Sequence, residues 1–275
     1  MRLLSWDRKS GALAFRLRGN IPVRVSWTFT IPAVLPFVHE WQMRPREALA
    51  HTLIVFVLLF LSVFLHELAH MRIARGKGIG TDRIDLFLFG GLTHFRPGPG
   101  SPHAWAWIAF AGPLTNLVLG AAFATAYYLA FGSLVPFARD GMFSWLPRLS
   151  AGYLEWALWL GVSLNLILFI LNILPAYNLD GGLIVRALLQ PRIGADRASR
   201  IVGACGVLLS VLRFAIILPA AAAGVLLWFP PSFAPNWNAL RGQAKSKPGR
   251  RPPGEAGPPE RVEWRGRGGW PVRRR

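Results

Sequence analysis

Long uncharged runs dominate this chain, and each stops where arginines, lysines or a polar cluster take over. The clearest is Leu53–Leu65, thirteen apolar or near-apolar residues before His66. Ala104–Phe131 and Tyr153–Leu174 are similar, each long enough for the ~20 residues a helix needs to cross a hydrocarbon core. Trp27–Val38 is shorter and broken by Pro32 and Pro36; extended back to Ile21, it makes a kinked first span. Ile201–Phe229 would run roughly 43 Å as helix, interrupted by Arg213 and Pro219, and reads as one long span or a hairpin of two short ones. A different period appears from Ile84 to Phe95. Two short β-prone runs there flank Gly90-Gly91 and read as a hairpin with a tight glycine turn. An open hairpin cannot sit bare in lipid, so it belongs beside the helices, where its free edge can pair with an extended peptide. The pattern predicts an all-α polytopic membrane protein of about six transmembrane helices with a small membrane-associated β-hairpin.

Composition strengthens this reading. Of 275 residues, 53% are hydrophobic and only 16% charged, with mean hydropathy +0.36, which excludes an ordinary soluble domain. A net charge of +18 carried by so few ionisable residues means that the cations are segregated into loops and tails. Such segregation orients a multi-pass chain, with the basic ends held in the cytoplasm. Residues 1–26 carry Arg2, Arg8, Lys9, Arg16, Arg18 and Arg24 against Asp7, and Arg72, Arg75 and Lys77 follow the second run. An integral protein of the cell membrane is expected, its polar cluster opening toward the cytoplasm. The first residues lack an apolar core and cleavage site of a removable signal peptide. Cys205 stands alone, so no internal disulfide is expected. The tail, 232–275, holds 11 Lys/Arg against 3 Glu among many Pro and Gly, and is expected to be disordered. A lipid surface suits it as a partner better than nucleic acid, and none of the latter is expected.

The chemistry begins where the second run ends. His66-Glu67-Leu68-Ala69-His70 is H-E-x-x-H. Residues four apart share a helix face, so both imidazoles can reach one ion, while Glu67 can take a proton from a water at that ion. Each charge placed at bilayer depth costs roughly 2.5–3.5 kcal/mol on insertion scales, which argues against three idle polar side chains there. At ~1.5 Å per residue, His66 sits roughly 21 Å into a span that starts near Thr52. Zinc needs a third protein ligand. A metzincin pattern would require glycine and histidine where Ile73 and Gly76 stand, and no glutamate occurs between His70 and Glu155. Asp82, Asp85 and Asp140 read as loop acids without a motif, and Glu155 lies at the wrong end of its helix. Asp180, ahead of Gly181-Gly182 and just beyond the fourth span, is therefore the expected third ligand, with helix capping as its competing role. His94 and His103 read as loop histidines. Asn116, set in an apolar helix, needs a partner, and the fourth span contains Asn165 and Asn172.

Taken together, HELAH in a span, LFLFGG after it, AGPLTN opening the next and NILPAYNLDGG after the fourth resemble the site-2 protease family of intramembrane zinc metalloproteases. The resemblance covers roughly residues 20–190. It implies a three-helix catalytic core within a unit at 21–190, following a cytoplasmic segment at 1–20 and followed by a membrane helix or helical hairpin at 191–231. It also implies one Zn2+ per chain on His66, His70 and Asp180, and Glu67 as the catalytic base. Asn116 and Asn172 match family asparagines that would polarise the scissile carbonyl or steady Asp180. No stretch reads as a PDZ or CBS-like module. The expected activity is hydrolysis of a peptide bond within or near the transmembrane segment of a membrane protein. The alternative is a membrane zinc transporter, which would need further ligands at other depths. Spans one, three and five offer no His, Asp or Glu. Oligomeric state, natural substrate and regulator are left open.

Overall fold

The computed structural model describes residues 4–7, 11–17, 21–34, 38–88, 90–96, 98, 100–132, 152–222 and 232–243. Three strands come first: β1 (Leu4–Asp7), β2 (Ala12–Leu17) and β3 (Ile21–Ser26). A short 3-10 turn and two short helices, α1 (Ile31–Val34) and α2 (Val38–Met43), lead into α3 (Pro45–Gly76). Strands β4 (Thr81–Phe87) and β5 (Gly90–Phe95) follow, then α4 (Pro102–Phe131) and α5 (Tyr153–Ile173). The chain continues through α6 (Asp180–Ile193), α7 (Ala195–Ala222) and α8 (Phe233–Leu240).

Among the described residues, three helices, α3, α4 and α5, are long and apolar enough to cross a membrane by length and composition. They pack against one another, and α4 touches both of its neighbours as well as α6. Pro45 at the first turn of α3 and Pro102 at that of α4 sit where a missing N–H is harmless, and Ser101 caps α4 by accepting from Ala104 N. Leu53, Val57 and Leu61 on α3 and Leu117 and Val118 on α4 stay exposed, the faces such helices would turn to lipid.

The structure departs from the sequence reading in four places. The kinked first span does not form over the described residues: Ile21–Ser26 is a strand, bonded antiparallel to β2 and parallel to β4. Val23 and Val25, spaced by two, put β-branched side chains on one sheet face, and Val23 is fully buried there. The hairpin is not isolated, because it completes a five-stranded sheet in the order β1-β2-β3-β4-β5, and His94 lies on β5 rather than in a loop. Phe87 stands opposite Gly90, so the glycines open β5 instead of forming the bend. Finally, residues 233–240 of the expected disordered tail form α8, which packs on α7. The loop at 133–151, the end of the last apolar run at 223–231 and the tail from 244 lie outside the described residues.

The sheet lies on α3 through a continuous apolar face. Phe15, Val23 and Ile84 stand side by side across β2, β3 and β4, and the same row ends at Thr93 on β5. The next row on that face, Leu13, Val25 and Leu86, ends at Gly91. Val23, Ile84 and Leu86 pack with Val63 and Met71 of α3, flanked by Phe60 and Phe64. Thr93 and Gly91 are therefore delivered to α3 at the level of its polar turn.

Candidate metal centre

On α3, His66, Glu67 and His70 are all buried, and their partners come from three other elements, α4, β5 and α6. His70 Nδ1 lies 2.6 Å from the Ile108 carbonyl of α4, which can only accept, so that nitrogen carries the proton. His66 Nδ1 meets Asn116 Oδ1 of α4. The orientation of Asn116 is set by its amide, which donates to Asn165 Oδ1 at 3.0 Å and toward the Ser62 carbonyl at 3.5 Å. Both imidazoles in their neutral form therefore present bare Nε2 lone pairs, and these two atoms are 3.0 Å apart. Asp180 Oδ2 stands 3.0 Å from His66 Nε2 and 3.3 Å from His70 Nε2.

Three acceptor atoms thus converge in a buried place, where like partial charges repel unless a cation lies between them. Two imidazole nitrogens and a carboxylate oxygen, all within 4.8 Å of one another, form a donor set that suits zinc. Both outer nitrogens are already committed to acceptors, the arrangement that fixes ring orientation for a metal. Among the described residues, this is the one group of three or more His, Cys, Asp or Glu whose donor atoms come together.

Two glycines make the close approach possible. A Cβ on Gly112 of α4 would sit on both Nε2 atoms, and a Cβ on Gly91 of β5 would sit on the Glu67 side chain. Asp180 depends on a third and a fourth. A Cβ on Gly181 would overlap the Ile173 carbonyl and one on Gly182 the Ala176 carbonyl, so the first turn of α6 lies directly against the loop before it. Asn178, at φ 72°, turns that loop back. The capping role weighed for Asp180 does not hold, since Leu179 is the N-cap and Asp180 is the first helical residue.

Of the six candidate residues, the structure gathers five. Asn172 is the exception, donating to Leu168 O of its own helix at 2.9 Å. The α5 asparagine that reaches the centre is Asn165, fully buried, which donates to Ser62 Oγ at 3.0 Å and Gly161 O at 2.9 Å while accepting from Asn116. Its signal was its place midway along an apolar helix, where a lone amide must find partners. Thr93 had gone unnoticed. Its hydroxyl donates to Glu67 Oε2 at 2.6 Å, and the period-2 register of β5 is what aims it there.

The comparisons with known proteins agree with this geometry. The model of peptidase family M50 matches residues 54–213, more than half of the chain. Rip3 of Mycobacterium tuberculosis, which carries the name of a zinc metalloprotease, is 35% identical over 181 residues, 63% of this chain and 42% of Rip3. Zinc metalloprotease MJ0392 of Methanocaldococcus jannaschii is 30% identical over 159 residues, 58% of this chain and 41% of that protein. This chain thus spans less than half the length of either relative. The solved site-2 protease from Methanocaldococcus jannaschii shares the fold at a TM-score of 0.54 and 22% identity, over 85% of this chain and 95% of that one. The chain belongs to peptidase family M50, the site-2 proteases.

Proposed function

We propose that this protein is a zinc metalloendopeptidase that cuts a peptide bond within or near the transmembrane segment of a membrane protein. The observation that carries the reading is the convergence of His66 Nε2, His70 Nε2 and Asp180 Oδ2, with Glu67 held next to them, at the heart of three apolar helices. His66, His70 and Asp180 would hold the zinc, which when bound would supply Lewis acidity toward a water molecule and the scissile carbonyl. Glu67 is the residue placed to accept a proton from the attacking water and to pass it to the leaving amine. Thr93 fixes one oxygen of Glu67, so the carboxylate is aimed before substrate arrives. Asn116 and the Ile108 carbonyl keep the imidazoles in the tautomer that leaves Nε2 bare. A helical substrate must unwind to expose its carbonyl. β5, last in the sheet order and touching Glu67 through Gly91, offers an edge on which the unwound segment can lie. The charge distribution supports a cell-membrane protein with this centre toward the cytoplasm.

The test is cleavage of a single-span membrane reporter in liposomes by wild type and by Glu67→Gln at equal zinc occupancy. Wild type cuts, and the variant is slower by about 10²–10⁴-fold, the range for a lost acid–base group. Equal rates, or zinc flux across the membrane without cleavage, would sink the protease reading, the second in favour of transport.

A further inference from the structure

The third ligand position is held from outside the stretch that the family model matches, which ends at residue 213. Asp180 follows a short loop, Leu174–Leu179, whose Tyr177 N–H is bonded outside the loop. That N–H donates to Asn236 Oδ1 of α8 at 2.8 Å. Asn236 is fully buried, and its own amide donates to the Ser232 carbonyl at 2.7 Å, which settles which end of the side chain faces Tyr177. Two glycines one turn apart on α7 make room for this. A Cβ on Gly206 would coincide with the Asn236 side chain, and a Cβ on Gly203 would meet the Leu240 N, Asn236 O and Ala239 C atoms of the α8 backbone at 2.5, 2.8 and 3.0 Å. Val202, fully buried beside them, lies 3.2 Å from where a Cβ of Gly182 would stand. The loop is therefore held between the first turn of α6 and the Asn236 amide of α8, and α8 is itself seated on the glycine face of α7.

We propose that α8 is a clamp for the metal centre, and that Asn236 is a positioning residue that sets zinc affinity by holding the Tyr177–Asp180 turn. This rests on the zinc reading above. His66 and His70 ride on a long helix that needs no such help. Asp180 rides on a turn whose Tyr177 amide is bonded to α8, and Gly181 and Gly182 leave the turn no slack on its other side. Loss of Asn236 frees the Tyr177 N–H and lets the turn, and with it Asp180 Oδ2, drift from the two Nε2 atoms. Partners of metal ligands beyond direct contact commonly shift affinity by roughly 10–100-fold.

The experiment measures zinc affinity of the full chain by competition with a chelator, together with the rise in melting temperature that zinc produces. Asn236→Ala and Gly206→Ala are compared with wild type. Alanine is a better helix former than glycine, so Gly206→Ala displaces the amide without weakening α7. Both variants are expected to bind zinc about 10–100-fold more weakly and to show a smaller zinc-induced rise in melting temperature. The double variant should match Asn236→Ala alone, because both changes remove the same bond. A loss of affinity below about tenfold in Gly206→Ala, or a lower melting temperature in both variants with the zinc increment unchanged, overturns the clamp and leaves α8 a packing element. If wild type itself binds no stoichiometric zinc, the zinc reading falls, and the clamp with it.

Discussion

The two sides of the metal centre reach the same point by opposite means. His66 and His70 are placed by a regular helix, four residues apart, and each ring is tied at its far nitrogen to α4. Asp180 begins a helix after a turn with one left-handed residue, and contacts with Ile173, Ala176 and Asn236 hold it in place. The histidine side is braced by polar bonds that cross three spans: Ser62 of α3 to Asn165 of α5, Asn165 to Asn116 of α4, and Asn116 back to His66. Each such bond between buried groups is worth ~1 kcal/mol net, yet leaving one partner unmet costs about 1–3 kcal/mol. The aspartate side is braced by steric fit of backbone on backbone and by the single bond from Tyr177 N–H to Asn236. A helix tolerates small errors in its neighbours, whereas a turn held by contact transmits them to the ligand.

The largest effect should come from adding a methyl group at the glycines on each side. Gly112→Ala pushes on both imidazoles at once and should weaken zinc binding on the order of 100-fold, more than Gly181→Ala, which disturbs Asp180 alone. Chelator competition on the two variants reads this directly, and the reverse order would mean that the loop, not the helix pair, dominates affinity. Next comes Asn116→Ala, which frees His66 Nδ1 and breaks the chain to Asn165; zinc affinity should fall about 10–100-fold, with Asn165→Ala falling less because His66 keeps its partner. Thr93→Val lies on neither side. It keeps shape and removes the hydroxyl from Glu67, so zinc affinity should stay as in wild type while turnover of a reporter drops roughly tenfold. Smallest of all is Asn172→Ala, whose amide, among the described residues, bonds within its own helix. Its unfolding free energy should change by no more than ~0.5 kcal/mol, with zinc binding unchanged.

The same contrast explains what could be read in the sequence. The H-E-x-x-H turn was legible because helix periodicity alone brings residues 66 and 70 together. The long apolar runs gave α3, α4 and α5 by length, although α3 begins at Pro45 rather than near Thr52. Residues 21–26 misled because Ile21, Val23 and Val25 are both apolar, as a span requires, and β-branched at period two, as a strand requires. What decided between them was β4, roughly 60 residues further on, whose pairing with β3 has no local signal. Asn172 drew attention by its motif, yet the partner of an asparagine depends on which neighbouring helix presents an amide, and here Asn116 faces Asn165. Thr93 and Asn236 needed the register of a sheet and the docking of a helix to be seen at all.

The most direct test of the account is the zinc coordination of the purified full chain, by metal analysis and X-ray absorption, in wild type and Asp180→Ala. The account predicts one zinc per chain in wild type, with imidazole nitrogens and a carboxylate oxygen at about 2.0–2.2 Å, and loss of stoichiometric zinc in the variant. Equal zinc content and an unchanged ligand shell in Asp180→Ala would contradict it, and would place the third ligand elsewhere in the chain.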